Sequence, residues 1–222
     1  EFVSQLQAEL DLLEKNDSIK GIIFTGMPGF FSAGLDVVEL FPLGKKEIYE
    51  FWKKFNRLLL TIFSYPKLIF SAINGHSPAG GAVIAIMTDY RIMSSGKFKI
   101  GLNEVAVGLT LPGAIGEVLQ YILGKRQAER CVLTGSLFSA EEAFSLGMVD
   151  EVCDQKEVLE TTKNRLLKWL ELPSVQQGKT KLKMRKKISK RMKSNIEKDT
   201  NEIVEIWFNE SGRYILGKLV KK

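Results

Sequence analysis

The sequence predicts an α/β fold in which short buried strands alternate with helices, followed by a region that is almost entirely helical. Continuous apolar runs, which are typical of buried strands, occur at 20–25 and 68–73. Segments with apolar residues three or four positions apart, typical of amphipathic helices, lie before and after them. From about residue 155 onward the spacing is helical. We therefore expect largely parallel strands up to a change of architecture near 153–155.

Each predicted element has a local reason in the sequence. The helices carry an apolar face, and Pro66 ends the second helix because proline cannot continue one. In chain order we predict a helix over 2–13, a strand over 20–25, a glycine-rich loop over 26–36, a helix over 45–65, a strand over 68–73, a turn over 74–78, a helix over 80–87 and strands over 89–93 and 97–100. The helical end contains segments at 158–170, 179–193 and 196–209.

Length and composition place the chain among ordinary globular proteins. Its 222 residues are 45% hydrophobic and 26% charged, which excludes a disordered, collagen-like or disulfide-framework chain. Two cysteines without CxxC spacing imply a reducing compartment. A single histidine, His76, argues against a His-based zinc site and a Ser-His-Asp triad. No apolar run reaches the ~18–20 residues that span a bilayer, so we expect no membrane partner.

A basic stretch over 179–193 holds nine Lys and Arg residues in a chain whose formal net charge is +6. One interpretation is a solvated helix face whose apolar residues are partly buried. The other is a site for a phosphorylated ligand or for RNA, whose phosphates attract such charge. The stretch lacks the aromatic side chains on which bases stack, which argues against nucleic acid.

Two short motifs imitate catalytic loops. Gly178-Lys179-Thr180 resembles the end of a phosphate-binding loop, but Pro173 stands where that loop needs a glycine. The segment 75–79 resembles the nucleophile elbow of serine hydrolases, but it ends in alanine and its serine directly follows the only histidine. We expect neither chemistry.

Two glycine-containing turns, 31–36 and 74–81, each follow a predicted strand. Turns at the same edge of a parallel sheet can direct two backbone N–H groups at one point, and a helix that begins near Gly80 adds positive potential there. Such a pair of donors makes an oxyanion hole. Taken alone, either turn is explained equally well by glycines that allow a tight turn and close helix packing.

A longer series of motifs joins these two turns between residues 31 and 149. The sequence contains Phe31-Ser-Ala-Gly-Leu-Asp36, Ser71-Ala-Ile-Asn-Gly75, Pro78-Ala-Gly-Gly81, Asp89-Tyr-Arg-Ile92, Ile100-Gly-Leu-Asn-Glu104, Gly108-Leu-Thr-Leu-Pro-Gly113, Leu133-Thr-Gly135 and the segment 139–149. In this order they resemble the crotonase (enoyl-CoA hydratase/isomerase) superfamily. The first and fifth motifs are most similar to its mitochondrial Δ3,Δ2-enoyl-CoA isomerase branch.

The resemblance implies roles for particular residues. The backbone N–H groups of Leu35 and Gly80 would form the oxyanion hole that holds the thioester oxygen, and Glu104 would be the catalytic carboxylate. The implied reaction moves the double bond of a 3-enoyl-CoA to give the 2-trans-enoyl-CoA, in the oxidation of unsaturated fatty acids. The substrate-binding positions would be Ala33, Gly34, Leu35, Asp36, Val37, Gly80 and Asn103.

A single carboxylate suits this reaction. Two N–H donors stabilise the enolate that forms when a proton leaves C2, and the same carboxylic acid returns the proton at C4. Apolar surroundings would raise the pKa of that carboxyl toward neutrality, as an acid and base requires. Val83 stands where hydratases carry a second glutamate, and Pro112 where dienoyl-CoA isomerases carry an aspartate. Both departures favour simple isomerisation.

The resemblance also implies the architecture around the site. We expect a spiral of ββα units over 1–153, with the family's initial strands missing, and a C-terminal helical trimerisation region over 154–222. The implied protein is a homotrimer that binds acyl-CoA, needs no cofactor or metal and works in the mitochondrial matrix. No Ser-Lys-Leu tail is visible, so a peroxisome is less expected. Basic residues must hold the CoA phosphates, but spacing does not assign them.

Two alternatives remain open at this point. The chain could carry out other crotonase chemistry, such as hydration or thioester hydrolysis. It could also be a non-enzymatic, RNA-binding crotonase-like protein that uses the basic stretch.

Overall fold

The computed structural model describes residues 1–221 and confirms the α/β fold, with two sheets of parallel strands. The helices are α1 (Phe2–Lys15), α2 (Val37–Leu40), α3 (Lys45–Phe63), α4 (Gly80–Met87), α5 (Gly113–Leu123), α6 (Lys125–Thr134), α7 (Ala140–Leu146), α8 (Val158–Trp169), α9 (Ser174–Phe208) and α10 (Glu210–Val220), with a 3₁₀ turn at Glu104–Val107. The strands are β1 (Gly21–Thr25), β2 (Gly29–Phe30), β3 (Leu68–Ile73), β4 (Gly75–Pro78), β5 (Tyr90–Ser94), β6 (Ile100–Gly101) and β7 (Glu151–Cys153).

The larger sheet has four strands in the order β1-β3-β5-β7. Every residue of β3 is buried, as expected for a strand that is covered on both faces. On one face Leu68 and Phe70 pack against Leu166 of α8. On the other face Ile69 and Ile73 join α3 and α4 in the main apolar core. The sheet is therefore a platform with helices on both sides, as the apolar strand pattern predicts.

The smaller sheet has the order β2-β4-β6 and corrects the prediction of a turn over 74–78. Gly75–Pro78 is a strand, and a second strand, Gly29–Phe30, lies inside the predicted glycine-rich loop. The strand predicted over 97–100 is reduced to Ile100–Gly101. These strands have two to four residues and no apolar run. They form because distant parts of the chain supply their hydrogen bonds, which local patterns do not reveal.

Helix α9 is continuous over Ser174–Phe208, whereas the sequence analysis predicted two separate segments there. It packs along α3, and its start approaches the main body closely at Gly178. A Cβ atom at Gly178 would lie 1.9 Å from the carbonyl oxygen of Pro66, so only glycine fits at this contact. Among residues 1–221, no helix has the length and apolar character needed to cross a bilayer.

The basic stretch over 179–193 divides between solvent and core. Lys181 and Arg185 turn inward to Asp89, with Nζ–Oδ2 and Nη2–Oδ1 distances of 2.7 and 3.0 Å. Arg185 also donates to the carbonyl of Phe63 at 2.9 Å. Burial lowers the pKa of Lys181, and the charge of Asp89 opposes that change. Most of the other basic side chains are exposed, which supports the solvated-face interpretation for them.

We predict that Asp89→Ala lowers the free energy of unfolding by about 3–5 kcal/mol, because it leaves two buried cations without their partner. Urea denaturation measures the change. The matched control is Glu129→Ala, which breaks the exposed pair between Arg126 and Glu129, also at 2.7 Å. That variant should lose no more than about 0.5 kcal/mol. Equal losses in the two variants would contradict the importance of the buried cluster.

Candidate active site

The candidate site lies where the three strands of the smaller sheet end. Because β2, β4 and β6 are parallel, their carboxyl ends share one edge. The segment 31–36 leaves β2, Ala79 and Gly80 leave β4, and Asn103 and Glu104 follow β6. The two glycine turns therefore converge, as predicted. The strands that position them belong to the smaller sheet, however, and are not the strands predicted over 20–25 and 68–73.

Gly34 and Gly80 bring the first two loops into backbone contact. A Cβ atom at Gly80 would lie 3.3 Å from the Cα of Gly34 and 3.5 Å from the amide nitrogen of Leu35. A Cβ atom at Gly34 would lie 3.3 Å from the amide nitrogen of Gly80, and Gly34 has φ +90°, a conformation that other residues rarely adopt. The amides of Leu35 and Gly80 are therefore held next to each other by a close backbone contact, which leaves little space for a side chain at either glycine.

Neither of these two amides donates to a protein acceptor within residues 1–221. Gly80 is the first residue of α4, so its N–H has no partner in the helix and carries the positive end of the helix dipole. Ala79 has φ 46° and ψ −119°, and it is the one non-glycine residue with positive φ in the described chain. Backbone strain of this kind concentrates at functional sites, and here it orients the Gly80 amide.

Glu104 is the first residue of the 3₁₀ turn and is buried, with 9% of its surface exposed. Its Oε2 atom has no hydrogen-bond partner in the described chain, and neither has the Oδ1 atom of the adjacent Asn103. Unpartnered buried oxygens are costly and are rare outside sites that receive a ligand or water.

Burial raises the pKa of Glu104 from an ordinary value of 4.5 to about 7. The cause is loss of hydration of the charged form, and a hydrogen bond from the backbone of Glu104 opposes it only in part. At neutral pH this carboxyl therefore exists in both protonation states. A group with that property can both accept and donate a proton.

All of the predicted site residues line one cavity of about 610 Å³. The loops supply its polar groups, and the rest of the wall is mostly apolar. The predicted members are Ala33, Gly34, Leu35, Asp36, Val37, Gly80, Asn103 and Glu104.

Two carboxylates line the cavity, and they differ in their bonding. Asp36 accepts a hydrogen bond from the Glu39 amide at 2.9 Å and caps α2, whereas Glu104 Oε2 is unpartnered. Val83 and Pro112, the two positions where related activities would need another acid, also line the cavity. Glu104 is therefore the cavity carboxyl that combines burial with an unpartnered oxygen.

The apolar wall of the cavity was not predicted from the sequence. This wall comes from helices that are distant in sequence, and its aromatic part includes the edge-on pair Trp52 and Trp207, with ring centroids 6.4 Å apart. Apolar spacing marks such residues as core, but it does not reveal which of them meet across a cavity. The wall comprises Trp52, Phe55, Ile115, Ile203, Trp207, Leu216 and Leu219.

We predict that Glu104→Gln stabilises the protein at neutral pH and leaves its stability unchanged near pH 4.5. In the wild type, the folded chain binds the Glu104 proton more tightly than the unfolded chain. The free energy of unfolding therefore falls as pH rises from about 4.5 to 7, by up to about 3 kcal/mol, and the variant lacks this loss.

Urea denaturation of both proteins at several pH values measures the difference. The surface variant Glu141→Gln serves as the control and should follow the wild type at every pH. A Glu104→Gln variant that is no more stable than the wild type at pH 8 would contradict the raised pKa.

Comparison with known proteins gives a consistent assignment. The sequence model of the enoyl-CoA hydratase/isomerase family matches residues 1–213. A mouse protein named enoyl-CoA delta isomerase 1, mitochondrial, is 36% identical over 228 aligned positions, which cover 100% of this chain and 79% of the relative. The human protein of the same name is 34% identical over 95% of this chain and 70% of its own length.

The fold agrees with solved structures. The crystal structure of human mitochondrial Δ3-Δ2-enoyl-CoA isomerase superposes with a TM-score of 0.95 at 32% identity, over 99% of this chain and 86% of that chain. A Bacillus halodurans enoyl-CoA hydratase superposes with a TM-score of 0.87 at 26% identity, over 97% and 88% of the two chains. These matches confirm the predicted crotonase-like fold, and the chain belongs to the enoyl-CoA hydratase/isomerase family.

Proposed function

We propose that this protein is a Δ3,Δ2-enoyl-CoA isomerase, which converts a 3-enoyl-CoA to the 2-trans-enoyl-CoA during oxidation of unsaturated fatty acids. One observation supports this most directly: a single unpartnered carboxyl, Glu104, shares a cavity with two free backbone amides. The relatives named as isomerases and the superposed human isomerase support the same activity.

In the first step, the carboxylate of Glu104 removes a proton from C2 of the bound thioester. Negative charge moves to the thioester oxygen, where the amides of Leu35 and Gly80 donate hydrogen bonds to it. Because these donors are already in place, little reorganisation is needed as the charge develops. Loss of one such donor typically costs roughly 10²–10³ in rate.

In the second step, the resulting dienolate takes a proton at C4 from the carboxylic acid of Glu104. The C2–C3 double bond forms as the C3–C4 double bond is lost, and the thioester is restored. One carboxyl completes the cycle, since it ends ionised as it began. A pKa of about 7 suits both half-reactions, because neither protonation state of Glu104 is strongly disfavoured.

The same cavity favours isomerisation over hydration. Hydration needs a second acid or base to activate water at C3, and the corresponding position holds Val83, which is buried. Pro112 removes the carboxylate that dienoyl-CoA isomerisation would use. We therefore expect 3-hydroxyacyl-CoA to be at most a minor product.

The remaining site residues hold the substrate in this proposal. Ala33, Gly34, Asp36 and Val37 contact the acyl-CoA beside the oxyanion hole, and Asn103 meets the acyl group beside Glu104. The substrate as a whole is neither oxidised nor reduced when a proton moves from C2 to C4. The proposed reaction therefore needs no cofactor beyond the CoA of the substrate.

A mitochondrial matrix location and a homotrimer complete the proposal. The mouse and human relatives are named as mitochondrial proteins, which supports the location. Exposed apolar side chains, including Tyr121, Leu172 and Met184 around a depression of about 570 Å³, offer surface for self-association. Sedimentation of the purified chain would measure the oligomeric state.

We predict that Glu104→Gln lowers kcat for 3-enoyl-CoA isomerisation by at least about 10³-fold, because the amide cannot accept the C2 proton. Formation of the conjugated 2-enoyl thioester, followed by its ultraviolet absorbance, measures turnover. Binding of a saturated acyl-CoA should change little, because the substitution preserves shape.

The control for this variant is Glu117→Gln, which changes a carboxylate on α5 outside the cavity and should retain wild-type turnover. Incubation of the wild type with a 2-enoyl-CoA, with analysis for 3-hydroxyacyl product, tests hydration. Substantial isomerase activity in Glu104→Gln would refute the base assignment. Hydration faster than isomerisation in the wild type would favour the alternative activity.

We predict that kcat/KM of the wild type rises about tenfold per pH unit below pH 7 and levels off above it. The free enzyme must hold Glu104 ionised to remove the C2 proton, and burial places its pKa at about 7. Measurement of kcat/KM as a function of pH tests this prediction. The control is the binding of a saturated acyl-CoA at the same pH values. A midpoint near 4.5 would mean that Glu104 is fully hydrated or is not the base.

A further inference from the structure

Helix α10 crosses both segments that carry the proposed catalytic groups. Ile215 packs on Gly108, at the end of the 3₁₀ turn that begins with Glu104, and a Cβ atom at Gly108 would lie 2.6 Å from Cδ1 of Ile215. Leu216 and Leu219 of the same helix line the cavity. Helix α10 therefore covers part of the candidate site.

One residue of α10, Arg213, binds the segment that carries the Leu35 amide. Its guanidinium carbon lies 3.6 Å from the centroid of the Phe41 ring, and its Nη1 donates to the Phe41 carbonyl oxygen at 2.8 Å. The ring of Phe208 lies on the guanidinium at 5.7 Å. A planar guanidinium can stack on a ring and donate in its own plane at the same time, which an ammonium group cannot do.

Helix α2 connects Phe41 to Leu35 as a short hydrogen-bonded turn, so the position of Phe41 constrains that of Leu35. Phe41 N donates to Val37 O at 2.8 Å, and Leu40 N donates to Asp36 O at 3.0 Å, so α2 links these residues by hydrogen bonds. Leu35 directly precedes Asp36. It is therefore held on one side by the contact of Gly34 with Gly80 and on the other by the turn that Arg213 fixes.

We propose that Arg213 is a positioning residue, which sets the direction of the Leu35 N–H by clamping Phe41. This inference rests on the proposed function, because it concerns the oxyanion hole of that reaction. Arg213 has no place among the residues that line the cavity, so it acts through the α2 turn and not by contact with substrate. The clamp couples the C-terminal helix to catalysis.

The first test compares Arg213→Ala and Arg213→Lys with the wild type. Displacement of a donor by about 1 Å can cost roughly 10²-fold in rate, so Arg213→Ala should lower kcat about 10- to 100-fold with KM changed less than about threefold. Arg213→Lys keeps the positive charge over Phe41 but loses the planar donor. Its kcat should therefore lie between those of the wild type and Arg213→Ala. Tyr214→Ala is the matched control, because it removes the cation–π contact of Lys218 on the same helix, which does not reach Phe41.

The second test reports on the oxyanion hole directly. A 3-ketoacyl-CoA has an acidic C2 proton, and its enolate has a strong ultraviolet band. The wild type and Tyr214→Ala should bind it largely as the enolate, whereas Arg213→Ala should bind it mainly in the keto form. Binding of a saturated acyl-CoA, which forms no oxyanion, should stay within about threefold in all variants.

The outcomes separate the clamp from a structural role. If Arg213→Ala lowers the melting temperature but keeps the wild-type kcat and enolate band, the positioning role is overturned. A rise in KM alone would likewise overturn it, because it would indicate that Arg213 binds substrate. If the wild type forms the enolate band but does not isomerise a 3-enoyl-CoA, the proposed function is contradicted. The comparison of that band between the wild type and Arg213→Ala would still test the positioning role of Arg213. Absence of the band in the wild type overturns both.

Discussion

The contact between the backbones of Gly34 and Gly80 is the constraint on which the site depends. Each glycine occupies space that a side chain would need, at separations of 3.3–3.5 Å from the opposite backbone. The contact exists because β2 and β4 run parallel and end together. It brings together two N–H groups, those of Leu35 and Gly80, that are 45 residues apart in the sequence. The proposed mechanism uses that pair of donors as its oxyanion hole.

The site keeps several features that a stable core would avoid. Glu104 and Asn103 bury oxygens without partners, and Ala79 holds a strained backbone angle. Each feature costs folding free energy, of the order of 1–3 kcal/mol. The neighbouring elements are correspondingly firm, because β3 is wholly buried and the charged side chain of Asp89 holds α9 in place through two cations. A rigid surrounding is what allows an ionisable group to remain desolvated and poised between protonation states.

The sequence predicted the parts of the fold that have local causes. The apolar run of β3, the amphipathic face of α3 and the stop at Pro66 all appear close to their predicted places. The smaller sheet was missed because its strands depend on partners far away in the chain. The two segments predicted in place of α9, 179–193 and 196–209, are joined in one helix, Ser174–Phe208. Packing against α3 carries the helix through that region, since tertiary contacts override weak local preference.

The predicted site residues came from motif likeness, and the structure places them around one cavity. Residue types alone did not distinguish Glu104 from any other acid after a strand. The distinction comes from burial, an unpartnered oxygen and a raised pKa, all of which are properties of the folded chain. The apolar wall and Arg213 carried no sequence signal, because their roles arise from helices that meet only in three dimensions.

The reaction that we propose for this cavity depends on where its wall lacks an acidic side chain as well as on where it has one. A thioester enolate can be quenched by a proton at C4 or at C2, and addition of water at C3 requires a positioned base. With Val83 and Pro112 at the positions where another carboxyl could act, the proposed mechanism relies on Glu104 alone to exchange protons with the substrate. In the proposed mechanism Glu104, whose pKa burial raises to about 7, can return the proton that it removed. Val83 then favours isomerisation over hydration in that mechanism, because an apolar side chain cannot activate water.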